Sequence, residues 1–154
     1  MISAPKQEFA EFRLPFSQKG EITEKVFSTH RETAVTVNYE KTDYDVRPWG
    51  FWEIMDIGDS YAVKKIIVQA GKVLSLQSHE HRDEHWIIVE GCAEVTLGET
   101  VTAAGPNTPF FIPAKTVHRI RNTGDRPLIF IEVQTGALLD ESDITRYEDA
   151  YGRV

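Results

Sequence analysis

From Tyr61 to Gln134 the chain repeats one theme. A short run of apolar and β-branched residues closes on Gly, Pro, Asn or Asp, and the next run follows at intervals of about eight to twelve residues. The runs fall at 61–69, 73–79, 84–90, 92–97, 100–103, 109–112, 117–121 and 127–134. Within 61–69 the side chains alternate, with Lys65, Ile67 and Gln69 on one face and Lys64, Ile66 and Val68 on the other. Upstream, Arg47-Pro48-Trp49-Gly50 leads into an aromatic-rich strand, Phe51 to Met55, and Gly58-Asp59 is a turn. This rhythm predicts an all-β sandwich or barrel rather than a parallel α/β sheet.

Two stretches stand apart. Residues 1–46 carry strand-like segments, including the alternating Ala34-Val35-Thr36-Val37-Asn38-Tyr39, together with an isolated His30 that reads as a surface or packed residue. They are expected to form an arm of one or two strands that packs at a homodimer interface, ahead of a main domain over 47–154. At the other end, 140–150 reads as a short C-terminal helix that Asp140 or Ser142 caps.

The chain has 154 residues, of which 41% are hydrophobic, enough for a single packed core. Its net charge of −7 gives no basic footprint for nucleic acid. No apolar run reaches the roughly 20 residues a membrane helix needs, so no membrane partner is expected. The first residues lack an apolar leader, and the expectation is a cytoplasmic protein. The one cysteine, Cys92, excludes an internal disulfide, suits a reducing compartment and reads as a small buried residue.

The chemistry concentrates between Gly71 and Gly91. Three of the five histidines, His79, His81 and His85, fall within seven residues, and His118 follows downstream. Imidazole and carboxylate groups at short alternating spacing are what a divalent transition metal requires. On a strand, Gln77, His79 and His81 would share a face, and Glu84 opens the next strand after a turn at Arg82-Asp83. Gln77, His79, Glu84 and His118 form one ligand set, for zinc, manganese, cobalt, nickel or iron. His79, His81 and His85 form an alternative.

These positions carry a resemblance. Gly71, Gln77, His79, Glu84 and Gly91 fall on the spacing of the first cupin motif, with Gln77 where many cupins have histidine. Gly105, Pro113, His118 and Asn122 resemble the second, with Lys115 in place of its glycine. Arg47-Pro-Trp-Gly50, Leu74 to His79, His81 to Trp86, Ile131 to Gly136 and Tyr147 to Arg153 resemble, more closely still, the isomerase domain of type II phosphomannose isomerases. In that family the domain usually follows a mannose-1-phosphate guanylyltransferase domain, and the 46 residues before Arg47 are too few to hold one.

The resemblance implies a cupin jelly roll, or double-stranded β-helix. It also implies metal-dependent interconversion of mannose 6-phosphate and fructose 6-phosphate, serving nucleotide-sugar and polysaccharide synthesis. Such a reaction needs a base, a metal or donor for the developing oxyanion, and a cationic grip on the phosphate. His81, Glu84, His85 and Glu132 are the acid/base candidates. Lys64, Lys65 and Arg82 are candidates for the sugar phosphate, ahead of Arg119 and Arg121, and Gln134 shares a strand face with Glu132. The competing readings are a non-catalytic sugar-binding cupin that docks on a separate guanylyltransferase, and another cupin chemistry such as epimerisation or dioxygenation.

Overall fold

The computed structural model describes residues 34–153, all within the compact unit Glu32–Val154. Its strands are β1 Thr36–Val37, β2 Tyr44–Arg47, β3 Gly50–Gly58, β4 Tyr61–Val68, β5 Leu76–Ser78, β6 Arg82–Glu90, β7 Ala93–Leu97, β8 Thr100–Ala104, β9 Pro109–Ile112, β10 His118–Asn122, β11 Leu128–Gly136, β12 Leu138–Leu139 and β13 Thr145–Glu148. The expected runs appear nearly one for one. The run at 73–79 is the least regular: Val73 makes only an isolated bridge to Arg121, and the strand proper is the three-residue β5.

Two antiparallel sheets make the jelly roll. One has the order β2-β3-β4-β11-β6-β9 and the other β13-β5-β10-β7-β8. Alternation in sequence becomes alternation in burial, strictly so in β4, where Ala62, Lys64, Ile66 and Val68 point inward. The apolar half of the interior is built from Trp52, Ile54, Ile66, Val68, Trp86, Ile88, Val95, Ile112, Ile120, Leu128 and Phe130. Burying a side chain of this size contributes about 1.5–3 kcal/mol. Asn122 anchors one end of this core: its amide donates to the carbonyls of Val68 and Arg126 at 2.9 and 2.7 Å.

The segment read as a C-terminal helix is not helical. Asp140 does act as a cap-like acceptor, its Oδ1 taking the Ser142 N–H at 2.6 Å. That bond closes an Asx-type turn, a geometry that helix starts and loops share. The chain then extends as β13 and pairs with β5 through Thr145 opposite Ser78 and Arg146 opposite Gln77. Tertiary pairing thus overrides a weak local helix signal. Residues 34–46 supply β1, which pairs in parallel with β12, and most of β2, which pairs with β3 in the six-stranded sheet. Expectations for 1–33, His30 among them, lie outside the described residues. Cys92 is exposed rather than buried, because it occupies the turn between β6 and β7.

Two backbone features shape the cavity end. Gly136 has φ +150°, and a Cβ there would stand 2.3 Å from the His81 carbonyl oxygen, so only glycine lets β11 pass this close to the start of β6. Lys115 replaces the motif glycine yet keeps the left-handed conformation, at φ 69°. A non-glycine residue there costs about 1–2 kcal/mol, and its N–H donates to the His79 carbonyl at 2.6 Å, tying this loop to a candidate ligand.

Candidate active site

The polar half of the interior comes from inward positions on both sheets. Lys64, Glu132 and Trp86 form one cross-strand row, and Ala62, Gln134 and Glu84 the next. On the facing sheet, Arg146, Gln77 and His118 form a row across β13, β5 and β10. Residues directly opposite in an antiparallel pair share a face, so each row points into the same space.

His79, Glu84 and His118 are 2%, 1% and 1% exposed, and one donor atom from each lies within 4.8 Å of the others. The His79 Nδ1 lies 2.6 Å from the Asp143 carbonyl oxygen and the His118 Nδ1 lies 2.8 Å from that of Thr116. A carbonyl only accepts, so both Nδ1 atoms carry the proton, which leaves the two Nε2 atoms to face the cluster. His118 Nε2 is buried with no hydrogen-bond partner. Burial holds the His118 pKa below its ordinary value despite the opposing charge of Glu84, so the ring is neutral. Burial would push the Glu84 carboxyl up, but His79, whose Nε2 lies 3.0 Å from Glu84 Oε1, and the Arg82 guanidinium hold it well below the usual carboxylate range. Two imidazole Nε2 atoms, that of His118 without a hydrogen-bond partner, and a carboxylate converging in a buried site are compatible with a divalent ion. Gln77 stands beside His118 and lines the cavity, where its Oε1 accepts from Ser75 at 2.7 Å.

Glu132 lies on the opposite wall. Its Oε2 accepts from Trp86 Nε1 at 2.8 Å and its Oε1 from Gln134 Nε2 at 2.6 Å. Burial and the charge of Glu84 raise its pKa to about 7, against the pull of Lys64 and Arg82. Gln134 is fully buried and serves to hold Glu132. Because the folded pKa is raised above the ordinary 4.5, the folded state binds the proton more tightly, and stability falls as pH rises between 4.5 and about 7. Without metal, Glu132→Gln is therefore expected to match wild type near the low end of that window and to exceed it by about 3 kcal/mol above it, read by urea unfolding at both pH values.

The other candidates separate by face. His85 and Lys65 follow Glu84 and Lys64 by one residue, and the period of two turns both outward. His85 stacks on Phe111 with ring centroids 4.6 Å apart, and Lys65 pairs with Glu53. His81 does not share a face with His79, because the strand ends at Ser78 and the chain turns. His81 is exposed, with Nδ1 3.1 Å from Asp143 Oδ1. Lys64 points inward, 3% exposed, where it pairs with Glu141 and donates to Tyr39 at 2.9 Å. Arg82 is 3% exposed and spent on the interior: Nε donates to Glu84 Oε1 at 3.0 Å and one terminal nitrogen to the Asp140 carbonyl at 2.7 Å. It lines the cavity and positions Glu84. Arg119 pairs on the outside with Glu148, and Arg121 is exposed.

Sequence reasoning passed over the segment that closes the site. Asp143 accepts from the backbone N–H groups of Glu80 and His81 through its carboxylate and from His79 through its carbonyl. Glu141, Ile144 and Arg146 line the cavity. The period-two placement of Ile144 and Arg146, beside the β-branched Thr145, was the available signal.

A family model described as mannose-6-phosphate isomerase C-terminal matches residues 35–149. The chain is 51% identical over 108 residues to the xanthan biosynthesis protein XanB of Xanthomonas campestris pv. campestris, an alignment that covers 70% of this chain and 23% of that one. It is 52% identical over 108 residues to the alginate biosynthesis protein AlgA of Pseudomonas putida, covering 70% and 22%. The chain thus spans less than a quarter of the length of these relatives. Among solved structures, the cupin-2 domain Rru_A2000 of Rhodospirillum rubrum superposes with a TM-score of 0.55 at 19% identity, over 70% of this chain and 82% of that one, a likeness of fold. Among the described residues no helix is long and apolar enough to cross a membrane.

Proposed function

The chain belongs to the mannose-6-phosphate isomerase C-terminal family, and from that premise we propose that it interconverts mannose 6-phosphate and fructose 6-phosphate, with a divalent metal ion held by His79, Glu84, His118 and Gln77. The observation that carries this reading is the pairing, in one buried cavity, of a three-donor cluster with a carboxylate whose pKa is raised to about 7. A general base works best when its pKa lies near the working pH.

In the reading proposed here, Glu132 takes the proton from carbon 2 of the open-chain aldose. The electron pair of that C–H bond forms the double bond between carbons 1 and 2 as the carbonyl π pair moves onto oxygen 1. The proton that oxygen 2 gives up ends on oxygen 1, the pair left on oxygen 2 forms the carbonyl at carbon 2, and the double-bond pair takes the proton back from the same carboxyl at carbon 1, which leaves the ketose. A bound divalent ion would supply positive charge for the oxyanion that develops between these transfers. Trp86, whose Nε1 donates to both Glu84 at 3.2 Å and Glu132 at 2.8 Å, holds the two carboxylates apart in fixed orientation. Gln134 fixes the other oxygen of Glu132. Glu84 is the ligand in this scheme, and His81 and His85 take no part in proton transfer.

The test is a coupled assay on protein purified free of host isomerase, stripped, and reloaded in turn with zinc, manganese, cobalt, nickel and iron. Turnover with at least one metal is expected. If sugar phosphate binds and no metal supports turnover, the isomerase reading gives way to a binding module.

A further inference from the structure

The proposed isomerase reaction needs a cationic seat for the phosphate. Of the basic residues first considered for that seat, Arg82 and Lys64 line the cavity but are already engaged by Glu84, the Asp140 carbonyl and Glu141, and Lys65 faces outward. Three other guanidinium groups, Arg47, Arg146 and Arg153, line the same cavity. Arg47 is held by Asp45 at 2.7 Å, and Arg153 by Asp149 through its Nε at 3.0 Å. Each guanidinium has five N–H donors, so both keep donors beyond those bonds.

Arg146 differs. Among the described residues its side chain makes no ion pair or hydrogen bond, and its Nε is buried without a partner. Burial, then the positive charges of Arg153 and Arg47, lower its pKa from the ordinary arginine value. Arg146 thus places an unsatisfied buried donor beside two guanidinium groups that carboxylates already hold, an arrangement an anion would complete. Glu141 is the carboxylate that shares this wall, and it is already engaged by Lys64 and Tyr39.

Placement supplies the second argument. Arg146 is opposite Gln77, and Gln77 is opposite His118. Neighbouring strands lie about 4.8 Å apart, which sets Arg146 on the order of 10 Å from His118 along one inner face. A six-carbon sugar phosphate has its reacting carbons at one end and its charge at the other, so it suits a cavity with donors at one end and arginines at the other.

We propose that Arg146, flanked by Arg47 and Arg153, is the phosphate seat, and that it restricts the cavity to phosphorylated sugars. The proposal rests on the isomerase reading of the same cavity for the identity of the sugar, but not for the seat itself. It is tested by calorimetric titration of the metal-loaded full chain with fructose 6-phosphate and with inorganic phosphate, in wild type, Arg146→Gln, Arg146→Lys and the outer-face control Arg119→Gln. A charge-assisted contact of this kind changes binding by about ten- to a hundredfold.

Arg146→Gln is expected to weaken both ligands by that factor, Arg146→Lys to recover part of the loss, and Arg119→Gln to leave both unchanged. In the coupled assay Arg146→Gln should raise KM for mannose 6-phosphate with kcat within a few-fold of wild type. A folded Arg146→Gln protein that binds both ligands as wild type does would overturn the proposal, and so would equal weakening by Arg119→Gln. Calorimetry needs no turnover. Arg146-dependent binding without catalysis would sink the isomerase reading and keep the phosphate seat, whereas catalysis with an unchanged KM would do the reverse.

Discussion

Replacing Glu132 with glutamine is expected to lower kcat for mannose 6-phosphate by about a hundredfold or more, with metal content intact and KM little changed. Glutamine keeps the size of the side chain and can still accept from Trp86 Nε1, which donates at 2.8 Å in the wild type. What it loses is the lone pair that takes the proton. The pH profile gives a second readout. The base must be deprotonated to act, so kcat/KM should rise with pH through the carboxyl's pKa. Burial and Glu84 raise that pKa to about 7. A bound cation pulls it down, which sets the acid limb at or below that value. A Glu132→Gln enzyme that turns over within a few-fold of wild type and keeps the same acid limb would move the base elsewhere. Glu84 is then the remaining carboxylate in reach, since His81 and His85 point out of the cavity.

Replacing His118 or His79 with alanine is expected to abolish stoichiometric metal retention after dialysis, and turnover with it. Loss of an outer partner of a metal ligand already costs about ten- to a hundredfold in affinity, and removal of the ligand itself costs more. Both rings are nearly fully buried, with tautomers set by the backbone carbonyls of Asp143 and Thr116. The measurement is elemental analysis alongside thermal unfolding with and without added metal. Wild type should gain stability in proportion to bound metal, because a ligand that binds only the folded state stabilises it. His118→Ala should show no such gain. Gln77→Ala should have the smaller effect, since a neutral amide is a weak donor. Retention of metal by His118→Ala at the wild-type level would overturn the ligand set.

How far local pattern reaches is clearest at the histidines. Alternation with a period of two, read with turn residues, was enough to place β4, β6, β10 and β11 and to predict two-faced strands closing on a core. The spacing from His79 to Glu84 to His118 marked three groups that the fold brings within 4.8 Å. His85 and Glu84, like Lys65 and Lys64, all stood as candidates from sequence, and the structure separates them because adjacent residues of one strand face opposite ways. The period of two misled at His81, where the strand stops at Ser78 and periodicity no longer applies.

Three features were decided only by tertiary contact. The segment after Asp140 carries a turn signal shared by helices and loops, and pairing with β5 made it a strand. Arg82, beside the ligands in sequence, is drawn inward by Glu84 and the carbonyl of Asp140, whereas Arg146, about 60 residues further on, shares a cross-strand row with Gln77 and His118. Lys115 holds a glycine-type φ because its N–H bonds the His79 carbonyl across the cavity wall. Sequence spacing determines which residues a strand turns to one side. Which strands become neighbours, and which charges spend themselves on each other, depends on contacts between residues far apart in the chain, and those decided where the cavity keeps an arginine with no side-chain partner among the described residues.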